Sequence, residues 1–126
     1  AWFDAHRQPH RPLYVWRDDQ QNMAAWASFS DYYPREAFRI SAEISIYIHE
    51  SQRGRGLGGE ILAFMLALAP ALGIRNVLAV IFAHNAASLH LFERFGFETW
   101  GRLPAVCEMP KRTADVLILG KALTDH

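Results

Sequence analysis

The clearest chemical signal is a cluster of glycines and arginines between Gln52 and Gly59, in the order Gln-Arg-Gly-Arg-Gly-Leu-Gly-Gly. A run with β-type alternation comes before this segment, and an apolar run with helical spacing follows it. Glycines let successive backbone N–H groups turn toward one point, and a following helix adds the positive end of its dipole there. Arg53 and Arg55 can pair with phosphate at the rim. The segment therefore predicts a binding site for an anion such as a pyrophosphate.

Three glycine-rich phosphate motifs can be compared with this segment. Gly54, Gly56 and Gly59 match G-x-G-x-x-G, but no βαβ series opens the chain and no acidic residue follows about 20 residues later. The Walker motif fails because no Gly-Lys-Ser/Thr follows. The pattern R-x-x-G-x-G remains, formed by Arg53, Gly56 and Gly58. The simpler alternative is a glycine-rich helix entry that binds no ligand.

The remaining pattern resembles the acyl-CoA motif of the GNAT (GCN5-related N-acetyltransferase) superfamily. Further segments are similar to its phosphinothricin acetyltransferases and L-amino acid N-acyltransferases: Pro34–Phe38, Ser41–Glu43, Ile46–Ile48, Ala79–Ile81 with Asn85 and Ser88, and Phe95–Phe97 leading to Gly101. The resemblance covers Trp2 to about Leu123. It implies an α/β (α+β) acyl-CoA N-acyltransferase fold, with a central mixed, mostly antiparallel sheet flanked by helices.

The activity implied by the resemblance is acetyl transfer from acetyl-CoA to the primary amine of a small amino-acid-like substrate. The phosphinothricin or methionine-derivative type is expected, with direct attack in a ternary complex. Two alternatives stay open: a non-catalytic acyl-CoA-binding module, and an acetyltransferase for a peptide or protein N-terminus. The resemblance further implies a homodimer.

Each step of such a reaction can be assigned to residues. The attacking amine must be uncharged, so a base is needed, and the resemblance assigns this role to Glu43. The alternative for Glu43 is a salt-bridged carboxylate at a strand edge. The residues expected to bind acetyl-CoA are Tyr47, Ile48, Arg53, Gly54, Arg55, Gly56, Leu57, Gly58, Asn85 and Ser88. Asn85 and Ser88 are also ordinary residues for a helix start.

The acceptor site is expected in the connection from Ser30 to Ile40. Arg35 can bind a substrate carboxylate in a bidentate manner, and Phe38 and Tyr33 can form pocket walls, although an exposed loop can carry such residues without a function.

Two segments depart from the family pattern. Phe92 stands where many members of the family carry a tyrosine that acts as the general acid. His90 is expected to face solvent. Of the family pattern in the Cys107–Asp115 segment, this chain retains only Asp115 and nearby positive charge. The identity of the amine substrate therefore stays open.

Composition narrows the possible partners, cofactors and domain organisation of the protein. A chain of 126 residues with 51% hydrophobic residues predicts a single domain, 1–126. The 13 basic and 13 acidic residues balance, which argues against a nucleic-acid or anionic-membrane partner, and no apolar run reaches membrane-spanning length. The six histidines lack zinc-type spacing, so no metal is predicted. The single Cys107 excludes an internal disulfide and fits a cytoplasmic protein.

The elements that must position these residues follow from periodicity. Trp2 to His6 is interpreted as the end of a helix, and the family's first strand and most of its first helical pair are expected to be missing. A hairpin is predicted from Leu13–Trp16 and Met23–Phe29. The later elements are predicted as strand Ala42–Ile48, helix Leu57–Leu72, strand Val77–Ala83, helix Ala86–Phe95, and strands Phe97–Val106 and Ala114–Gly120.

Overall fold

The computed structural model describes residues 2–3 and 10–123. These residues form one sheet with two α-helices packed against it. The strands and helices are β1 Trp2–Phe3, β2 Leu13–Arg17, β3 Met23–Asp31, β4 Ser41–Ile48, α1 Leu57–Leu68, β5 Asn76–Phe82, α2 Ala86–Arg94, β6 Glu98–Met109 and β7 Arg112–Ala122. Short 3-10 turns occupy Glu36–Phe38, Glu50–Gln52 and Ala69–Leu72.

The sheet has the strand order β1-β2-β3-β4-β5-β7-β6. Neighbouring strands are antiparallel except for β4 and β5, which are parallel and are joined through α1. A parallel pair needs such a crossover connection, whereas the antiparallel pairs need only tight turns. The predicted mixed, mostly antiparallel sheet with its order of elements is confirmed.

The core lies between the helices and one face of the sheet. Alternate residues of β3 and β4 point to this face, where Phe29 and Ile44 pack against Ile61, Leu62 and Met65 of α1. The opposite face, which we call the open face, carries the intervening residues of β4, namely Glu43, Ser45 and Tyr47. The predicted alternation is therefore confirmed, because Ile44 lies in the core and Ile46 and Ile48 pack against it.

Helix α1 ends earlier than predicted. Pro70 has no N–H to donate to the preceding turn, so the α-helix stops at Leu68 and a 3-10 turn continues to Leu72. Gly73 then ends the segment with φ of 78°, a left-handed conformation that glycine adopts without strain. The helical segment as a whole, with its final 3-10 turn, therefore ends at the predicted residue, Leu72.

Two other predictions need correction. Trp2 and Phe3 form a short strand paired with Trp16 and Val15, and so are not the end of a helix; residues 4–6 of that prediction lie outside the described residues. The continuous apolar run of the predicted strand Val77–Ala83 favours burial on both faces, but Val80 of β5 is 47% exposed. The second half of β5 is covered only on the helix side in the part of the chain that the structure describes.

Within residues 2–3 and 10–123, no helix has the length and apolar character required to cross a membrane.

Candidate active site

The central feature of the site is a fork between β4 and β5. The two strands pair only at Ser41–Asn76, Ala42–Val77 and Glu43–Leu78, although β4 continues to Ile48 and β5 to Phe82. The side chain of Asn76 donates a hydrogen bond to Ser41 Oγ at 3.2 Å beside the first pair. The strands therefore part directly after Glu43, which stands at the vertex of the fork.

The backbone of β4 presents hydrogen-bonding groups to this fork. His49 N–H donates to Ala24 O at 2.8 Å, and in an antiparallel ladder such pairs recur at every second residue. Glu43, Ser45 and Tyr47 therefore bond to β3, while Ile46 and Ile48 direct their backbone groups away from it. An extended ligand can pair with these groups as an added strand would.

This alternation in the direction of the backbone groups of β4 changes one of the predicted contacts. Tyr47 was expected to bind acetyl-CoA together with Ile48, but the backbone of Tyr47 is paired with Trp26 of β3. Its ring stacks on the Trp26 ring with centroids 6.2 Å apart. Ile46, whose backbone groups point away from β3, was not among the predicted contacts, because the direction of a backbone N–H depends on the pairing register, which residue types do not reveal.

The glycine turn lies at the open end of the fork. Gly54 and Gly56 both have φ of 80°, and a Cβ at either position would meet nothing within 4 Å. Gly56 precedes α1 without any side-chain cap, so among residues 2–3 and 10–123 no capping side chain accepts a hydrogen bond from the first N–H groups of the helix. A left-handed turn, open space and free N–H groups at a helix start fit a phosphate group.

A third glycine serves a different purpose. A Cβ at Gly58 would lie 3.2 Å from Ile48 Cδ1 and 3.2 Å from Leu91 Cδ2. The missing side chain therefore lets the start of α1 pack closely on the end of β4 and on α2. This contact fixes the turn relative to both the fork and the second helix.

Three arginines surround the turn. Arg53 Nε donates to Ile48 O at 3.2 Å and so ties the turn to the end of β4, while Arg55 is exposed. Arg94, at the end of α2, places Nη2 3.5 Å from where a Cβ of Gly59 would stand. Arg94 was not predicted, because its approach to the turn depends on the packing of α2 on α1.

The candidate base Glu43 is half-buried on the open face. Its cross-strand neighbours are Ser30 on β3 and Leu78 on β5. Among the described residues Glu43 forms no ion pair. The alternative of a salt-bridged carboxylate therefore has no support from these residues.

The predicted acceptor residues lie in the connection between β3 and β4. Tyr33 and Arg35 line a cavity of about 530 Å³, together with Arg11, Asp31 and the end of the α1 segment at Leu72 and Gly73. The Arg35 guanidinium lies 5.9 Å from the centre of the Tyr33 ring. Phe38 packs on Tyr33 at 5.2 Å between ring centroids but does not line the cavity. Glu43 does not line it either.

The family of the chain follows from comparison with known proteins. The model of the acetyltransferase (GNAT) family matches residues 1–97. The chain belongs to the GNAT family. Its reaction is therefore N-acetyl transfer, and the predicted fold class is confirmed.

Two curated relatives and one solved structure illustrate what this acetyltransferase resembles. It is 48% identical over 123 residues to the candidate phosphinothricin acetyltransferase YwnH of Bacillus subtilis, covering 98% of this chain and 75% of that one. It is 37% identical to an L-methionine sulfoximine/L-methionine sulfone acetyltransferase of Pseudomonas paraeruginosa, covering 94% and 69%. A phosphinothricin acetyltransferase from Sinorhizobium meliloti, solved in complex with acetyl-CoA, superposes with a TM-score of 0.84 at 30% identity, covering 90% and 61%.

Helix α2 offers this acetyltransferase no tyrosine as a general acid. Phe92 is buried and packs edge-on against Phe97, with centroids 4.9 Å apart. His90 is exposed, as predicted. Asn85 caps the helix by accepting a hydrogen bond from Ser88 N–H at 3.2 Å, which confirms the ordinary helix-start role of both residues. Their contact with acetyl-CoA stays a prediction.

The Asp115 that this acetyltransferase retains from the family pattern has a structural role. Its carboxylate accepts a hydrogen bond from Ala105 N–H at 2.8 Å and pairs with the guanidinium of Arg102. The Ala105 hydrogen bond, followed by the Arg102 contact, lowers the pKa of Asp115 below its ordinary value. Ala105 has φ of 50° and lies in an irregular stretch of β6. Asp115 therefore fixes the bend of β6 beside the end of β5.

No group of three or more His, Cys, Asp or Glu side chains that could hold a metal occurs among residues 2–3 and 10–123.

Proposed function

We propose that this enzyme transfers the acetyl group of acetyl-CoA directly to the primary amine of a small amino-acid-like substrate, in a ternary complex. The observation that carries the proposal is the fork, which has Glu43 at its vertex and the glycine turn at its open end. Ile48 lies five residues after Glu43, which places the two ends about 16 Å apart along the strand. An extended acyl-pantetheine arm with a terminal pyrophosphate suits this arrangement.

The donor is bound largely by backbone groups in this proposal. The N–H groups around Gly54, Gly56, Leu57 and Gly58 bind the pyrophosphate, with Arg53 and Arg55 at the rim. Ile46 and Ile48 pair with the pantetheine arm from β4. Asn85 and Ser88 lie at the start of α2 and contact the donor from that side. The relative solved in complex with acetyl-CoA supports the choice of donor.

The chemistry requires one bond to form and one to break. The neutral amine nitrogen attacks the thioester carbonyl carbon, and the C–S bond then breaks to release the thiolate. Glu43 accepts the proton of the amine directly or through water. A backbone N–H of β4 that faces the fork near its vertex stabilises the charge on the carbonyl oxygen. A thiol has a pKa of about 8.5, so the thiolate can leave without a general acid, which agrees with the buried Phe92.

The acceptor is proposed to be an amino acid whose carboxylate binds Arg35. Among the described residues Arg35 has no acidic partner, and the cavity beside it also contains Tyr33. Phe38 supports the Tyr33 ring. The names of the two relatives, which specify amino-acid derivatives as substrates, support this class. Because the cavity does not include Glu43, the acceptor must reach from the cavity toward the fork.

Arg35→Ala tests this arrangement. The variant is expected to raise KM for the amino acid about tenfold or more, because a charge-assisted hydrogen bond contributes roughly 1.5–3 kcal/mol. KM for acetyl-CoA should stay within twofold. Steady-state kinetics with each substrate varied in turn measures both constants, and Arg17→Ala, at the end of β2 away from the acceptor loop, is the matched control. Equal changes in both constants would assign Arg35 a structural role.

The proposal also places the enzyme in the cytoplasm as a homodimer. The aromatic side chains Tyr32, Tyr33 and Phe38 are exposed on one loop, and such residues are enriched at protein interfaces. Sedimentation at micromolar concentration tests the dimer, and a single species of monomer mass would refute it.

A thiol-release assay tests the function itself. Acetyl-CoA is offered with a panel of amino acids, including methionine sulfoximine and phosphinothricin, and with short peptides that have free N-termini. We expect free thiol to appear with small amino acids and not with peptides. Release only with peptides would support the protein-directed alternative. Binding of acetyl-CoA by calorimetry without release from any amine would support a non-catalytic module.

A further inference from the structure

A buried arginine lies beneath the loop that carries the proposed acceptor residues. This acceptor loop, residues 32–40, connects β3 to β4 and contains Tyr33 and Arg35. Arg11 precedes β2 and is only 5% exposed, although it carries a full charge. Arginine is seldom buried unless its guanidinium is paired, so its contacts indicate why it is there.

The guanidinium of Arg11 holds both ends of the acceptor loop. Nη2 donates a hydrogen bond to Arg39 O at 2.7 Å, near the end of the loop. Nε lies 2.8 Å from Oδ1 of Asp31, the last residue of β3, in an ion pair without the geometry of a hydrogen bond. Nη1 donates to His10 O at 2.7 Å. One planar group thus connects the start of the loop, its end and the segment beneath it.

The last residue of the loop is anchored independently of Arg11, because Ile40 O accepts hydrogen bonds from Arg75 N–H at 2.7 Å and from Asn76 N–H at 3.0 Å. The rest of the loop has few such attachments among the described residues. Its own hydrogen bonds are short-range: Arg35 N–H donates to Tyr33 O, and Phe38 N–H donates to Arg35 O. Across the loop ends, Tyr32 N–H reaches Ser41 O at the long distance of 3.4 Å. Residues 31–39 are all exposed. Before the anchor at Ile40, the position of residues 32–39 relative to the sheet therefore depends on Arg11.

We propose that Arg11 is a positioning residue for acceptor binding, because it fixes the loop that presents Arg35 and Tyr33. This inference rests on the proposed function, in which Arg35 binds the acceptor carboxylate. Arg11 also lines the cavity that Tyr33 and Arg35 share. The planar guanidinium of Arg11 has several N–H groups and reaches both ends of the loop at once, which the single ammonium of lysine cannot do.

Arg11→Lys is the first test. It keeps the positive charge beside Asp31 and removes the second nitrogen with which the guanidinium reaches the other end of the loop. We expect KM for the amino acid to rise about tenfold, with kcat at saturation and KM for acetyl-CoA within twofold of wild type. Arg17→Lys, at the end of β2 beside the β2–β3 turn, is the matched control. Unchanged constants for both substrates would overturn the proposal.

Hydrogen exchange provides a readout that does not depend on activity. In Arg11→Lys the amides of Arg35, Phe38 and Arg39 should exchange about tenfold faster, while those of α1 keep their protection. A similar loss of protection in α1 would overturn the proposal, because Arg11 would then stabilise the fold as a whole. Arg11→Met, measured in the same way, tests the loop if the lysine variant folds poorly.

The two measurements separate this inference from the proposed function. Faster exchange in the loop together with a higher KM for the amino acid would support the positioning role. Faster exchange without any change in this KM would overturn it, since the loop would then make no contribution to acceptor binding. A wild-type enzyme that acetylates no amine would refute the proposed function, and the exchange comparison would still show whether Arg11 holds the loop.

Discussion

Glu43→Gln should lower kcat about a hundredfold or more at neutral pH, with little change in KM for acetyl-CoA. General base catalysis contributes about 10²–10⁴ to rate, and glutamine keeps the size of the side chain while losing its ability to accept a proton. Glu43 stands at the vertex of the fork, where the acyl group of a donor lying along β4 would end. Steady-state kinetics with saturating amino acid measures the loss.

The dependence of this loss on pH distinguishes a base from a structural carboxylate. As pH approaches the pKa of the acceptor amine, more of the amine is already neutral, so the variant should recover activity relative to wild type. Glu98→Gln, an exposed carboxylate on β6, is the control. A folded Glu43→Gln enzyme with near-normal kcat at neutral pH would assign Glu43 a structural role and leave substrate positioning as the main source of rate.

Gly56→Asp should raise KM for acetyl-CoA steeply, by about a hundredfold. The residue has φ of 80°, where a non-glycine residue costs roughly 1–2 kcal/mol, and the new carboxylate would enter the space proposed for a pyrophosphate. The expected effect combines this backbone strain with repulsion between like charges. Kinetics with acetyl-CoA varied, supported by calorimetric binding of CoA, measures it.

Gly56→Asn separates the two contributions. Asparagine has nearly the same shape as aspartate and tolerates the left-handed conformation, but it carries no charge. We expect KM for Gly56→Asn to lie at least tenfold below that for Gly56→Asp. Equal constants for the two variants would show that no anionic group of the donor binds near this turn, and the pyrophosphate assignment would be wrong.

Much of the fold is predictable from short segments of sequence. The alternation in β4 identifies which residues face the core, and the two apolar runs around Arg17–Asn22 predict the hairpin of β2 and β3. Gly73 and Gly96 mark helix ends because both have positive φ. These signals are local, since each depends on residues that are neighbours in the chain.

The features that were missed depend on residues distant in sequence. Trp2 and Phe3 form a strand only because they pair with β2, and so short a segment has no periodicity of its own. The register between β3 and β4 decides that Ile46, and not Tyr47, turns its backbone groups toward the fork. Arg11 contacts the main chain of Arg39, which lies 28 residues later, so nothing in its own neighbourhood indicates this role.

The fork divides the sheet into two parts that are each continuous in sequence. Strands β1 to β4 come from residues 2–48, and β5 to β7 come from residues 76–122. Only the first part contains the acceptor loop and Arg11, whereas the walls of the fork come from both parts. In the proposed arrangement, substitutions confined to the first part can change amine preference, while the groove proposed for the common donor depends on the junction and remains the same. Such a division allows one donor to be combined with many acceptors during evolution.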